Sequence, residues 1–374
     1  MRRLARQITF RTLILSLLLA VACPILGAAS VASAATHSRP GSATAPSPNV
    51  VKRPITFQVR NVNRSALACA SDGAAYEVRG HLVGPAPKVG PGASGGGGSV
   101  TLYLHGFSAG ELFWHFSAVP RYDYAVAMAR AGHASVVIDR LGYGTSGHPD
   151  GNQSCLGAQA DVAHQVVEKL RSGDYVVEGG GPPTFDRVAL AGHSAGALIA
   201  NLEAYSFNDI DGLVAMSFTP QVTQRAFEQF YANRTACDAG GEQSVAGGPG
   251  GYAYFGQTDA EFQASAFHSA EPVVTRIATG LRRRDPCGDG ASLIDALVLD
   301  LKSLSRVTVP VLLVCGREDA TTPDFACPYL KRRYVGSRDV SLSFVPKAGH
   351  ALPLERTAPV FRRRVSAWLS AHGF

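Results

Sequence analysis

The sequence predicts an α/β fold: a mostly parallel sheet with helices on both faces and a cap inserted late in the chain. Three observations predict it. From residue 100 onward, short continuous apolar runs alternate with helical segments, the pattern of parallel strands buried on both faces. Two further strands precede this region. About ninety residues then separate the run ending at Phe218 from the run starting at Val309, far more than a plain crossover needs.

The elements follow in order. Residues 1–34 read as a secretory signal. Arg2, Arg3, Arg6 and Arg11 precede the apolar stretch Leu13–Ala22, which continues through Ile25 and Leu26 to Ala32-Ser33-Ala34. An uncleaved anchor is the alternative, because Thr12 to Ala35 carries no charge and is long enough to span a bilayer. The small-residue end favours cleavage after Ala34. A lipoprotein start at Cys23 fits less well, with Ala20 three residues before it and Pro24 after it. The mature chain is therefore expected to be secreted, with no stable membrane anchor. Residues 35–54, rich in Ala, Ser, Thr and Pro, are expected to be a flexible tether. Residues 55–62 and 74–83 read as strands. In the second, Tyr76, Val78, Gly80 and Leu82 alternate with Glu77, Arg79 and His81. Residues 84–99 are mostly Gly, Pro, Ala and Ser and are expected to be a mobile loop.

The buried runs are Val100–Leu104, Ala134–Ile138, Arg187–Ala191, Gly212–Phe218, Val309–Val314 and Val340–Val345. Helical segments are expected near 122–131 and 158–171. A last helix places Phe361, Val365, Trp368 and Leu369 on one face and Arg362, Arg363 and Arg364 toward water. The core is thus expected over 55–218 and 304–374, with the cap at 219–303.

Composition sets the limits. The chain has 374 residues, 46% hydrophobic and 17% charged, which excludes a disordered protein and a coiled coil. It can bury a core that needs no metal. The net charge is +6, and four of those charges are the leader arginines. The near-neutral body excludes a nucleic-acid partner, which would need a basic face. Of seven cysteines, Cys23 leaves with the leader. The remaining Cys69, Cys155, Cys237, Cys287, Cys315 and Cys327 imply disulfides in an exported chain. None has zinc-ligand spacing and there is no HExxH, so no metal site is indicated.

The sharpest motif is Gly192-His193-Ser194-Ala195-Gly196, with an apolar strand before it and a helical pattern after it. A serine on such a turn is pushed into the open, and glycines make room beside it. The helix that follows points its positive end at the site. Serine is a weak nucleophile and needs a base and an orienting acid. After one strand stands Gly316-Arg317-Glu318-Asp319, and after the next stands Gly349-His350. Both sit past strand ends, where open α/β sheets gather their ligands. Asp319 is the preferred acid, with Glu318 and Asp324 as rivals. His350 is the preferred base over His268 and His372. The oxyanion donors are expected to be the N–H of Ala195 and the N–H of Phe107, with Ser108 as rival to Phe107.

Together with Asp139-Arg140-Leu141-Gly142-Tyr143-Gly144-Thr145-Ser146 and His105-Gly106-Phe107, these motifs resemble the α/β-hydrolase superfamily in its esterase/lipase-like branch. They stand in the family order over residues 100–374. The resemblance implies an eight-stranded sheet whose antiparallel start is formed by 55–83. It implies a secreted serine hydrolase that cleaves a carboxylic ester through an acyl-enzyme on Ser194, with Asp319 and His350 completing the triad. No cofactor is required. Asp139 is implied to be structural. In the family sheet the first strand runs parallel to the later ones, so Cys69 and Cys155 reach the same rim and are expected to pair. Cys237 with Cys287 would staple the cap, and Cys315 with Cys327 would flank the Asp319 loop, unless Cys315 is a free core thiol. A thioesterase, lactonase or aminopeptidase is the alternative. An aminopeptidase would need an acidic anchor such as Glu203, Glu228 or Glu261. A non-catalytic binding protein is a further, weaker alternative. Phe218, Phe227, Phe230, Tyr231, Tyr252, Tyr254, Phe255, Phe262 and Phe267 crowd the cap. They suit a small-molecule ester with an apolar acyl or aryl group, or else they build the cap's own core. The glycine-rich stretch 239–251 is expected to be a mobile loop able to gate entry, and Arg282-Arg283-Arg284 a solvated patch.

Overall fold

A computed structural model describes residues 49–93 and 98–374. The expected signal segment, residues 1–34, and residues 35–48 of the expected tether lie outside the described residues.

The strands in chain order are β1 (Val50–Arg60), β2 (Ala75–Pro85), β3 (Gly98–Leu104), β4 (Ser135–Ile138), β5 (Val176–Val177), β6 (Phe185–His193), β7 (Gly212–Met216), β8 (Tyr252–Ala253), β9 (Asp285–Pro286), β10 (Val311–Gly316) and β11 (Val340–Val345). The helices are α1 (Ala86–Val89), α2 (Tyr124–Arg130), α3 (Leu156–Ser172), α4 (Ala195–Phe207), α5 (Gln224–Asp238), α6 (Asp259–Ala266), α7 (Pro272–Gly280), α8 (Cys287–Ala291), α9 (Leu293–Ser303), α10 (Ala326–Lys331) and α11 (Ala358–Ala371).

Nine strands form the main sheet in the order β11-β10-β7-β6-β3-β4-β2-β1-β5. The six from β11 to β4 are parallel, and β2, β1 and β5 each pair antiparallel with their neighbour. The continuous apolar runs still alternate. Leu102, Leu104, Leu190 and Leu313 pack on the face covered by α3, α4 and α9. Tyr103, Ala191 and Val314 pack on the face covered by α2 and α11. Both faces exclude water, so the runs read as unbroken apolar sequence. Phe361, Val365, Trp368 and Leu369 of α11 are buried as its periodicity requires.

Several boundaries move. The ninth strand, β5, is two residues long and pairs with Thr56 and Ile55 at the sheet edge. So short a segment has no period to read. The expected tether ends early, because β1 begins at Val50. Arg53 occupies an inward slot of that strand, where its guanidinium donates to Glu178 O (2.9 Å) and Val89 O (3.1 Å). A buried arginine hides the alternation that Ile55, Phe57 and Val59 continue. The expected mobile loop at 84–99 begins with the end of β2 and the single turn α1, whose Val89 is buried. Arg362 and Arg364 are half-buried and tied to Arg121 O (2.8 Å) and Ser343 Oγ (2.9 Å), rather than free in water.

The region 219–303 leaves the sheet after β7. Its helices start on sequence signals: Thr223 caps α5, and Thr258 with Glu261 forms a capping box on α6. The ribbon β8–β9 ties the segment together. Its last helix, α9, packs on α4 of the core, with Ala296 and Asp300 fully buried. Arg282 bonds Gly256 O (2.8 Å) and lies over the Tyr254 ring, and Arg284 pairs with Glu242. Two of the three arginines thus hold the cap together instead of forming a solvated patch. Disulfides join Cys69 to Cys155, Cys237 to Cys287, and Cys315 to Cys327. No helix among the described residues is long and apolar enough to cross a membrane.

Candidate active site

Strand β6 feeds α4 through a single sharp residue, Ser194, at φ 55° and ψ −123°. This conformation is strained for a residue with a side chain. The flanking glycines have a measurable reason. A Cβ at Gly192 would stand 2.1 Å from Gly196 O, and one at Gly196 would stand 2.4 Å from Leu104 O. The serine N–H donates to Met216 O at 2.9 Å, which fixes the turn on the neighbouring strand. Ala195 is the first residue of α4, so its N–H points out of the helix end.

Asp319 and His350 stand on the loops after β10 and β11. The His350 Nδ1–H faces both oxygens of Asp319, Oδ2 at 2.9 Å and Oδ1 at 3.0 Å, and the Thr321 hydroxyl lies 2.6 Å from the same nitrogen. Oδ1 also accepts from the Thr321 N–H (2.9 Å), the Thr321 hydroxyl (2.8 Å) and the Thr322 N–H (3.0 Å). Burial alone would raise the Asp319 pKa. The His350 imidazole and the Thr321 donors outweigh it, and the carboxyl lies below its ordinary value. The rivals are placed elsewhere: Glu318 is exposed, and Asp324 pairs with Arg317 at 2.7 Å. His268 and His372 stand apart from this pair. The His268 N–H bonds Glu355, and the His372 ring bonds Trp368 O and Asp339.

Ser194 and His350 face one cavity of about 140 Å3. Its walls come from the core through Phe107, Ala195, Leu198 and Phe218, and from the cap through Phe227, Phe230, Phe255 and Phe262. Of the nine aromatics in 218–267, these last five phenylalanines line the cavity, while Tyr252 is buried within the structure. Glu228 and Glu261 are not among the lining residues, and Glu203 is fully buried on α4.

The two candidates for the second oxyanion donor, Phe107 and its rival Ser108, differ in what surrounds them. The Ser108 N–H is committed to Asp285 Oδ1 at 2.7 Å. The Phe107 N–H has no hydrogen-bond partner among the described residues.

Several residues that build the site escaped the sequence reading. The His193 Nε2–H donates to His350 O at 2.9 Å, and the Ser217 hydroxyl donates to the same oxygen at 3.0 Å. Burial, and then the neighbouring His350, push the His193 pKa down to about 3, so it holds the loop as a neutral ring. Glu355, fully buried, accepts from Gly349 N (3.1 Å), His268 N (2.7 Å) and Ser269 N (2.6 Å), joining the His350 loop to the cap. Only Thr321 carried a signal, as a Thr two residues after an Asp at a turn.

Among the described residues, one cluster could offer metal ligands. His164, Glu203 and Asp209 bring three ligand atoms within 4.8 Å of one another, toward the end of α4 remote from Ser194. The His164 ring bonds Asp209 at 2.7 Å. Burial and the Asp209 carboxylate push the Glu203 pKa well above the carboxyl range, which favours its neutral form over a ligating carboxylate.

The comparisons with known proteins agree with this architecture. Residues 102–363 match the model of the Alpha/beta hydrolase family. A pimeloyl-[acyl-carrier protein] methyl ester esterase of Neisseria meningitidis is 39% identical over 87 residues, which span 22% of this chain and 26% of that protein. Among solved structures, a thermophilic esterase from Thermogutta terrifontis superposes with a TM-score of 0.57 at 19% identity, covering 85% of this chain and 100% of that one. The enol-lactonase from Burkholderia xenovorans LB400 superposes with a TM-score of 0.55 at 16% identity, over 81% of this chain and 99% of its own. At these identities the structures show the shared fold. With the family model matched over most of its length, the chain belongs to the alpha/beta hydrolase family.

Proposed function

We propose that this chain is a secreted serine hydrolase that cleaves a carboxylic ester bearing an apolar acyl or aryl group. One observation carries the reading: a serine on a strained strand-to-helix turn shares a cavity with a histidine whose far nitrogen is held by a buried carboxylate. In this mechanism Ser194 Oγ attacks the ester carbonyl and its proton passes to His350 Nε2. Asp319 holds the correct tautomer and stabilises the imidazolium. The N–H groups of Ala195 and Phe107 receive the oxyanion. His350 returns the proton to the departing alcohol. Water, deprotonated by the same histidine, then releases the acid. Every proton moves between Ser194, His350, the alcohol and water, so this route calls for no cofactor.

The phenylalanine walls favour an apolar acyl group, since such a pocket gains by removing apolar surface from water. The absence of Glu203, Glu228 and Glu261 from the cavity lining weighs against an aminopeptidase among the alternatives. Lactones and thioesters need the same chemistry and stand as the second reading. Three disulfides fit an oxidising compartment and support export. The test is hydrolysis of a panel of chromogenic esters, lactones, thioesters and aminoacyl amides. Ester turnover rising from acetate toward longer acyl chains is expected, and turnover of amides alone would overturn the reading. Sequencing of the exported protein should begin at Ala35.

A further inference from the structure

We propose that Asp285, carried by the cap, is a positioning residue for the oxyanion loop: it holds Ser108 so that the Phe107 N–H, and not that of Ser108, faces the acyl oxygen. This rests on the serine-hydrolase reading above.

Ser108 is buried and sits at φ 55°, a conformation that costs a side-chain-bearing residue energy and needs to be held. The cap holds it at four points, one of them the Phe255 carbonyl, which accepts from its hydroxyl at 3.1 Å. Asp285 Oδ1 accepts its N–H at 2.7 Å, and its hydroxyl lies 3.2 Å from Asp285 Oδ2. Its carbonyl accepts from the Arg283 N–H at 3.2 Å. Without Asp285, two adjacent N–H groups would compete for one anion, and the strained residue would be free to relax.

Asp285 is itself fixed from both sides. On the cap side, Oδ2 accepts from the Phe255 N–H at 3.1 Å. On the core side, Oδ1 accepts from the Tyr143 hydroxyl at 3.0 Å, and that oxygen accepts from Arg140 Nη2 at 2.9 Å. The Arg140 guanidinium also donates to His105 O at 2.9 Å, gripping the other end of the same loop. Its remaining nitrogen pairs with Asp289 at 3.0 Å. One buried arginine thus faces two buried carboxylates, and Asp289 takes the direct pairing. Asp285 is left with neutral donors, and burial pushes its pKa up to about 7 against the help of Ser108, Tyr143 and Arg140. Seating the cap and completing the oxyanion site become one event.

The experiment uses the mature enzyme, p-nitrophenyl butyrate, butaneboronic acid as a tetrahedral adduct on Ser194, and butyrate as a planar product. Removing an oxyanion donor costs on the order of a hundredfold or more in kcat. Asp285→Ala should lower kcat by about a hundredfold with KM within about twofold. Asp285→Asn, which restores an acceptor to Ser108, should recover about tenfold of that loss. Boronate affinity should fall in step with kcat while butyrate inhibition stays put, a split that general loosening would not produce. If the alanine variant does not fold, Asp285→Leu, which keeps the bulk and removes the acceptor, takes its place. An alanine or leucine variant with kcat and boronate affinity within twofold of wild type overturns the proposal. Wild type that fails to hydrolyse the ester, or a Ser194→Ala enzyme that still does, overturns the serine-hydrolase reading and the proposal with it.

Discussion

Asp319→Asn is a one-atom change with a calculable consequence. Asp319 Oδ1 accepts three hydrogen bonds, from the N–H and hydroxyl of Thr321 and from the N–H of Thr322. An asparagine must present its carbonyl oxygen to these donors. Turning the amide over would forfeit three bonds at about 1 kcal/mol each, and would leave buried donors facing an NH2 group. The amide nitrogen therefore occupies the Oδ2 position, 2.9 Å from His350 Nδ1. It donates there, and although Oδ1 stands 3.0 Å from the same nitrogen it is already taken by three donors, so Nδ1 is expected to accept and the ring proton to move to Nε2. A histidine protonated at Nε2 cannot take the Ser194 proton. The expected loss is about ten-thousandfold in kcat, equivalent to about 5.5 kcal/mol of barrier. Asp319→Ala loses the carboxylate but leaves His350 free to choose its tautomer. It should retain at least as much activity as the asparagine variant. Initial rates on a chromogenic ester, normalised to titratable Ser194, measure both. An asparagine variant keeping more than a tenth of wild-type kcat would refute the tautomer argument.

Three further expectations follow from the same geometry. Ser194→Ala and His350→Ala should each lose about a thousandfold or more in kcat, and the double variant should lose no more than the worse single, as kinetics of the pair would show. The Cys315–Cys327 bond closes a loop of 12 residues around Asp319, so replacing both cysteines by alanine should remove about 3 kcal/mol of stability in denaturant titration; a change below about 0.5 kcal/mol would contradict the account. The Asp285 pKa rises on folding to about 7, so the native state holds a proton that the unfolded chain releases near pH 4. Stability from this group is therefore fully present below pH 4 and is lost as the pH climbs to 7. Asp285→Asn lacks that slope, and its stability relative to wild type should improve by ~2 kcal/mol between pH 5 and pH 7 in denaturant titration; a flat difference would contradict the assignment.

What could be read in the sequence follows from where the information lies. Val100–Leu104 and Val309–Val314 announce themselves because both sheet faces are covered, and nearly every residue is apolar. The elbow is legible because two glycines are forced by backbone approaches of 2.1 and 2.4 Å. Asp319 and His350 are legible because they follow strand ends. Arg53 hid the start of β1, since a charged residue in an inward slot breaks the pattern. The packing of α9 on α4 is not legible either, because an apolar helix gives no sign of which partner it meets. Asp285, His193 and Glu355 could not be read at all. Each acts through groups far away in sequence: Ser108 lies 177 residues from Asp285 and His350 lies 157 from His193. No local pattern records such meetings.

The central claim is that Ser194 is the nucleophile, and its covalent capture tests it most directly. The mature protein is treated with a fluorophosphonate, its residual ester hydrolysis is followed, and the modified peptide is identified by mass spectrometry. The account predicts one adduct per chain, on Ser194, forming at the rate at which activity disappears, and none in Ser194→Ala. An adduct on another residue, or full activity after complete modification of Ser194, would contradict it.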